Sequence, residues 1–398
     1  MQFLFSKYRS KPLIGFILIL LLVLNTNLYA QEPKFPKPVK SDKVLVPKTQ
    51  IKSNKTKKSI DFNGQDGPFI IDDSLLYRIT KENKLKLVSK FNKDSIKVNV
   101  DNDDANSFYV SINSDYNAPQ THYNTTEKIV VISDIEGNYE AFVSFLYANK
   151  IIDENHNWIF GNGHLVLNGD FVDRGKNVTQ VLWLIYKLEH DAKSQGGNVH
   201  FILGNHEILN FYGDYRYNLG KYIKAAQAIS QTDNKKEAVK FLYSKHSEIG
   251  KWLSTKNVIE KIGDYIFVHG GLNPSILKYN LSLEEINKIV RQQYYNLNKI
   301  EGKTSKFLYS TKGPFWHRGL AREKVSGKDL NLILEQFDAK KIVIGHTPTD
   351  IIKTIYDGKV INTDVHHGTI KFSGKTYGIL IENGIEYVLN DANEKKRL

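Results

Sequence analysis

The sequence predicts an α/β fold preceded by a small β-rich segment, and three observations carry that prediction. From about residue 127 the chain alternates short apolar runs, polar loops and stretches of helical period. A short apolar run bounded by glycine and polar residues reads as a buried strand. Five such runs end on side chains able to bind a metal: residues 129–133 at Asp134, 165–168 at Gly169-Asp170, 200–203 at Gly204-Asn205-His206-Glu207, 265–268 at His269, and 341–344 at Gly345-His346. Ligands of open α/β folds gather at the carboxyl ends of strands, so these groups imply a metal-centred site there. Residues 59–122 differ, holding only short alternating segments.

Taken in order, residues 1–30 read as a secretory signal. Lys7, Arg9 and Lys11 form a basic start, residues 13–24 an apolar core, and Leu28-Tyr29-Ala30 a cleavage site. The apolar run is short for a membrane span of about 20 residues. The expectation is a periplasmic or secreted body, membrane-anchored if the segment is uncleaved, with no span after cleavage. Residues 31–58 alternate Lys, Pro, Ser and Val without a period and read as an exposed linker. Within residues 59–122, the stretches 84–90, 95–100 and 108–112 suggest antiparallel β structure, with a solvated turn at Asp101-Asn102-Asp103-Asp104.

Residues 123–398 form the expected main domain. Helices are predicted over 138–150 and 178–194, the second with Val178, Val181, Leu182, Ile185 and Leu188 on one face. Further helices are predicted within 219–253 and 283–298, and over 326–337 with Ser326 as N-cap. Asp357-Gly358 and Glu382-Asn383-Gly384 signal hairpins, joining 351–356 to 359–363 and 377–381 to 385–389. Trp183 and Trp252 fall on core faces, and His164 and His200 read as structural. His366 and His367 read as loop residues.

Composition narrows the function. The 398 residues are 41% hydrophobic, enough for a sizeable core, and contain no cysteine. Any metal must therefore use oxygen and imidazole ligands. The formal charge of +12 comes from scattered lysines, several of them in the linker. That argues against a specific nucleic-acid function but favours attraction of phosphorylated substrates.

The stretches Asp134-Ile135-Glu136-Gly137, Gly169-Asp170-Phe171-Val172-Asp173-Arg174-Gly175, Gly204-Asn205-His206-Glu207, His269-Gly270-Gly271 and Gly345-His346 stand in one order. With them the chain resembles the calcineurin-like metallophosphoesterases, specifically an exported bacterial type within the phosphoprotein phosphatase family. The resemblance covers roughly residues 127–370 and implies a sandwich of two mixed sheets flanked by helices. It also implies two divalent ions, with manganese, iron or zinc as candidates. Asp134 would bind the first, Asp170 would bridge both, and Asn205, His269 and His346 would bind the second. A hydroxide held between the ions would hydrolyse a phosphomonoester. His206 would be the acid, oriented by Asp173. Arg174, Arg318 and Asn205 would bind the phosphate, with Arg216 a weaker candidate.

One position departs from the family pattern. Glu136 stands where the family has a histidine ligand to the first metal. As a ligand it hardens the site toward manganese, iron or magnesium; the alternative is that it points away. The implied substrate is a phosphoserine or phosphothreonine protein, with a nucleotide or other small phosphate ester as the runner-up. A metal-binding protein without turnover is the remaining alternative.

Overall fold

Consecutive apolar residues can bury side chains on both faces of a strand only if both faces are covered. That requirement shapes the protein. This computed structural model describes residues 62, 64–101, 103–113, 116–124 and 128–398. The signal segment and linker read from the sequence lie outside them. The described residues belong to a single unit, Pro47–Leu398.

Strands β1 (Asp66–Ile71), β2 (Leu75–Ile79) and β3 (Leu85–Val88) form a three-stranded antiparallel sheet, and β4 (Ile96–Val100) pairs with β5 (Asp103–Val110). The expected turn is shorter than read, because β5 already begins at Asp103. Asp101 turns the chain with φ 49° while its carboxylate accepts from Lys176 Nζ at 2.8 Å and Asn177 Nδ2 at 2.9 Å.

The main domain runs β6 (His122–Tyr123), β7 (Lys128–Ile132), α1 (Tyr139–Ala148), β8 (His164–Asn168), α2 (Val178–Ser194), β9 (Asn198–Ile202) and α3 (Asn205–Tyr212). The stretch 219–253 contains three helices, α4 (Gly220–Ser230), α5 (Lys235–Leu242) and α6 (Glu248–Leu253). Then come β10 (Ile259–Ile262), β11 (Tyr265–Val268), α7 (Leu283–Arg291), α8 (Lys303–Leu308) and α9 (Gly327–Gln336). Ser326 caps α9 by accepting from Asp329 N. The chain closes with β12 (Lys341–Ile344), β13 (Lys353–Ile355), β14 (Val360–Asn362), β15 (Tyr377–Glu382), β16 (Ile385–Asn390) and β17 (Lys395–Arg397). No helix among the described residues is long and apolar enough to cross a membrane.

Two six-stranded mixed sheets result, ordered β17-β16-β15-β7-β8-β9 and β13-β14-β12-β11-β10-β6. Ile129, Val131, Val166 and Ile202 from the first meet Ile262, Phe267, Val343 and Ile361 from the second in one apolar layer. The alternate residues Val130, Ile132, Leu165 and Leu167 face outward into a larger core with α1 and α2. Trp183 and Trp252 are buried as expected.

The small β segment shares that larger core, which takes in Ile70, Leu76, Val98 and Phe108. It is also tied to α2 by polar bonds. Trp183 Nε1 donates to Pro68 O and Gln180 Nε2 to Asn99 O, both at 2.9 Å.

Register sets the functional edge. Strands β7, β8 and β9 are parallel, with Ile132 opposite Leu167 and Leu167 opposite Phe201. In the second sheet β11, β12 and β14 are parallel, with Phe267 opposite Val343 and Ile344 opposite Asn362. All six strands therefore end at one rim. The sheets are stitched there: Asn168 Nδ2 donates to Val343 O at 3.2 Å, and Ser133 Oγ and Thr363 Oγ1 lie 3.0 Å apart.

His156 links the small β segment to α1. It shares a 2.9 Å hydrogen bond with the Tyr139 hydroxyl and packs against Phe108. Burial, aided by the charges of Lys371 and Lys187, lowers its pKa from 6.5 to about 4. The unfolded chain therefore takes up a proton below pH 6.5 that the folded chain refuses until about pH 4. This contribution to stability is complete above pH 6.5 and is lost as pH falls toward 4. Urea midpoints at pH 7.5 and pH 5 should differ more in the wild type than in His156→Gln.

Candidate metal centre and phosphate site

Six side chains at this rim sit on left-handed backbone: Asp134 (φ 55°), Glu136 (48°), Asp170 (59°), Asp173 (72°), Arg174 (52°) and His346 (67°). Such positions persist only where surrounding bonds over-determine them. Here the loops after β7 and β8 are zipped together. Asp134 N donates to Gly169 O, Glu136 N to Asp170 O and Gly137 N to Phe171 O, each at 2.9 Å. Arg174 N donates to Tyr217 O at 2.9 Å.

Glu207, quoted in the sequence but given no role there, clamps the next pair of loops. Its buried carboxylate accepts from Gly204 N at 2.8 Å, Phe171 N at 2.8 Å and Asp170 N at 3.1 Å. Burial and the neighbouring Asp170 raise its pKa to about 7, while those N–H donors pull the other way. Gly204 itself has no room for a Cβ, which would collide with the Asp170 carboxylate.

Asp170 is the hub. Its Oδ1 accepts from His206 N at 2.9 Å, and its Oδ2 lies 3.1 Å from His269 Nε2. His269 Nδ1–H donates to Asn168 O at 2.8 Å, which turns Nε2 toward Asp170 and toward Asn205 Oδ1 at 3.1 Å. Donor atoms of Asp170, His269 and His346 lie within 4.8 Å of one another. His346 Nε2 is buried with no hydrogen-bond partner. A buried imidazole nitrogen left unpaired demands an explanation, and a divalent ion among oxygen and imidazole donors supplies one. The residues fit a metal. Burial opposes charge on His269, but Asp170 overcomes this and raises its pKa to about 10; burial and Arg318 hold His346 well below the ordinary value.

The first-metal side is arranged differently. Asp134 accepts from His346 N at 3.3 Å. Its carboxyl lies within hydrogen-bond reach of Asp364, a buried residue after β14. Burial and the pairing with Asp364 raise the pKa of Asp134; burial, against the opposing pull of His269 and Arg318, raises Asp364 to about 6. Glu136 is ion-paired to Arg174. It also lies near Asp170 and His206, with donor atoms of the three within 4.8 Å.

His206 and Asp173, the pair that the resemblance reads as acid and orienting carboxylate, lie together. His206 Nδ1–H donates to Asp173 Oδ2 at 2.7 Å, leaving Nε2 3.9 Å from Asp170 Oδ2. Asp173 Oδ1 accepts from Asn210 Nδ2 at 2.9 Å and from Asn218. Burial works against a charged His206, but Asp170 and Asp173 raise its pKa above the ordinary value. Tyr217 packs 4.8 Å from the His206 ring. Asn210 stands one helical turn after His206, a spacing readable in advance; Asn218 and Tyr217 lie in a loop with no such signal.

The guanidinium groups are placed unequally. Arg174 lies 5.5 Å from the Tyr217 ring centre. Arg318 Nη1 donates to His346 O at 2.5 Å and to Thr347 Oγ1 at 3.2 Å. Arg216 is exposed and clamped by Asp214, at 2.8 Å from Nε and 2.6 Å from Nη2. His164 and His200 form a buried relay to Glu260, with links of 2.9 Å and 2.6 Å. His367 Nε2–H donates to Ser133 O at 2.8 Å, buttressing the strand end before Asp134.

Residues 127–350 match the family model described as calcineurin-like phosphoesterase. The chain belongs to the calcineurin-like phosphoesterase family. The family fold is also seen in the crystal structure of a cold-active protein-tyrosine phosphatase from a psychrophilic Shewanella species. That structure has a TM-score of 0.74 and 31% identity, with 84% of this chain and 99% of that one covered. Among family relatives, Shewanella-like protein phosphatase 1 of Plasmodium berghei is 35% identical over 226 residues, covering 55% of this chain. That match spans only 61% of the relative's own length. Shewanella-like protein phosphatase 2 of Arabidopsis thaliana is 26% identical over 289 residues, covering 62% of this chain and 73% of the relative.

Losing the Glu207 clamp should be costly. Glu207→Ala strands three backbone N–H groups in the interior, so a destabilisation of roughly 3 kcal/mol or more is expected from urea unfolding. A change within 0.5 kcal/mol of zero, a range ordinary for surface sites, would refute the clamp.

Proposed function

We propose that this phosphoesterase-family chain is a metal-dependent phosphomonoesterase acting on phosphoproteins. The observation that carries the reading is the His206–Asp173 pair, bonded at 2.7 Å, with His206 Nε2 facing the Asp170 cluster. An imidazolium held by a carboxylate is an acid suited to neutral pH.

Asp134, Asp170, Asn205, His269 and His346 would hold two divalent ions. Such ions supply positive charge to phosphoryl oxygens and lower the pKa of water. The chain's own side chains do the rest. Arg174 and Arg318 grip phosphate oxygens through planar guanidinium groups. As a water oxygen bonds to phosphorus and the bond to the leaving oxygen breaks, His206 delivers its Nε2 proton to that leaving oxygen, giving an alcohol and inorganic phosphate. Asp173 holds the ring in the tautomer that keeps Nε2 toward the phosphate, and Asn210 and Asn218 hold Asp173.

A phosphoprotein substrate is supported by the names of several relatives, which are protein phosphatases. The Shewanella structure, which this chain covers almost completely, is titled a protein-tyrosine phosphatase. A phosphotyrosyl peptide is therefore the first natural-type substrate to compare with phosphothreonyl peptides and nucleotides. Export, read from residues 1–30, is part of the same proposal, and fractionation of expressing cells would test it.

The purified chain should hydrolyse an aryl phosphate, lose activity on chelation and regain it with manganese. His206→Ala should lower kcat by roughly 10²–10⁴-fold, the range for general acids, with unchanged metal content. A His206→Ala enzyme as fast as wild type would exclude the acid role. Activity indifferent to chelator would exclude metal dependence.

A further inference from the structure

The charges at the first-metal side are paired in a way that separates two carboxylates by role. Glu136 already has a cation, Arg174, and is partly exposed to water. Asp134 and Asp364 have each other. Asp364 is buried and Asp134 half-buried at the rim, within hydrogen-bond reach of each other. Two facing carboxylates held away from bulk water are costly unless a positive charge joins them.

His269 and the Arg318 guanidinium are within electrostatic reach of Asp364 and Asp134, yet His269 is bonded to Asp170, Asn168 O and Asn205, and Arg318 Nη1 donates to His346 O and Thr347 Oγ1. The topology explains why Asp364 arrives here. Strand β14 is parallel to β12, with Ile344 opposite Asn362, so Asp364 follows β14 by the same two residues that put His346 beyond β12. Thr363 N donates to Ile344 O at 2.9 Å, and Thr363 Oγ1 reaches Ser133 Oγ beside Asp134. Asp364 is thus a sixth strand-end donor on the same rim, which also carries the unpaired and buried His346 Nε2.

We infer that Asp364 supplies the first-metal ligand that the Glu136 position no longer provides, and that Glu136 instead positions Arg174 for the phosphate. The inference rests on the two-metal reading above. It divides the labour at the site by charge. A carboxylate neutralised by an arginine is a weak attractor for a divalent ion. A carboxylate facing a second one, with no side-chain cation bonded to either among the described residues, is a strong one. Holding Arg174 by Glu136 and the Tyr217 ring would keep its guanidinium ordered before the phosphate arrives.

The test is metal stoichiometry. The full chain is stripped with chelator, titrated with manganese, and followed by calorimetry and elemental analysis. Wild type should bind two ions per chain. Asp364→Asn, which is nearly isosteric, should bind one, or bind the first at least about 10-fold more weakly. Asp364→Glu, which keeps a carboxylate, should recover the second ion even where Asp364→Asn folds poorly.

Glu136→Gln should keep two ions while raising KM for an aryl phosphate more than it lowers kcat, the pattern of lost ground-state binding. The inference is overturned if Asp364→Asn binds two ions as wild type does, if Asp364→Glu behaves no better than Asp364→Asn, or if Glu136→Gln loses an ion. Wild type binding two ions without hydrolysing any phosphoester would instead refute the proposed function, and the stoichiometries would still decide the ligand.

Discussion

The site hangs on one buried carboxylate that touches no substrate. Glu207 draws the backbone N–H groups of Gly204, Asp170 and Phe171 onto two oxygens. Strands β8 and β9 end side by side, but parallel pairing fixes only the strands and not the loops beyond them. Glu207 closes that gap by pinning the start of α3 to the loop after β8. Asp170 and His206 are then brought together by a 2.9 Å bond from His206 N to Asp170 Oδ1. Both the Asp170 cluster and the His206–Asp173 pair are therefore placed by the same clamp.

The clamp also makes sense of the backbone. A left-handed conformation costs a non-glycine residue of order 1–3 kcal/mol, and the rim concentrates it at Asp134, Glu136, Asp170, Asp173, Arg174 and His346. Each sharp reversal lets a side chain leave its strand end and turn inward over the rim. The offsetting energy is not local. It comes from the apolar layer between the sheets and from the core beneath α1 and α2. The catalytic geometry is thus rigid because a large body behind it is rigid, as precise positioning requires.

How much of this was readable followed from physical range. Strands β11 and β12 and helix α2 fall where the apolar pattern places them, since burial on a core face is a local signal. Strand β10 was not separated from the stretch before β11. Its sequence, Ile-Glu-Lys-Ile, carries a buried Glu260 whose partner, His200, lies 60 residues away. The residues Asp134, Asp170, Asn205, His206, His269 and His346 are gathered at one rim, because strand-end donors in a parallel sheet converge whatever the loops do. Asp364 follows the same rule, but β14 is only three residues long and its parallel pairing with β12 is a long-range fact. Asn218 and the pairing of Glu136 with Arg174 were invisible for the same reason: no periodicity connects their positions.

Charge is arranged on two length scales. The whole chain carries +12, which draws phosphate esters from a distance. The rim itself is the opposite. Asp134, Asp170 and Asp364 share the field of Arg318, while Arg174 is engaged by Glu136. A phosphate dianion bound at this rim would have the carboxylates of Asp134, Asp170 and Asp364 close by. Long-range attraction and local repulsion would cancel unless cations occupied the carboxylate cluster first. Metal ions would then be the electrostatic condition for phosphate binding as well as a source of chemistry. A rim of buried acids inside a basic protein would keep phosphate out until the ions were loaded, and hold it once they were.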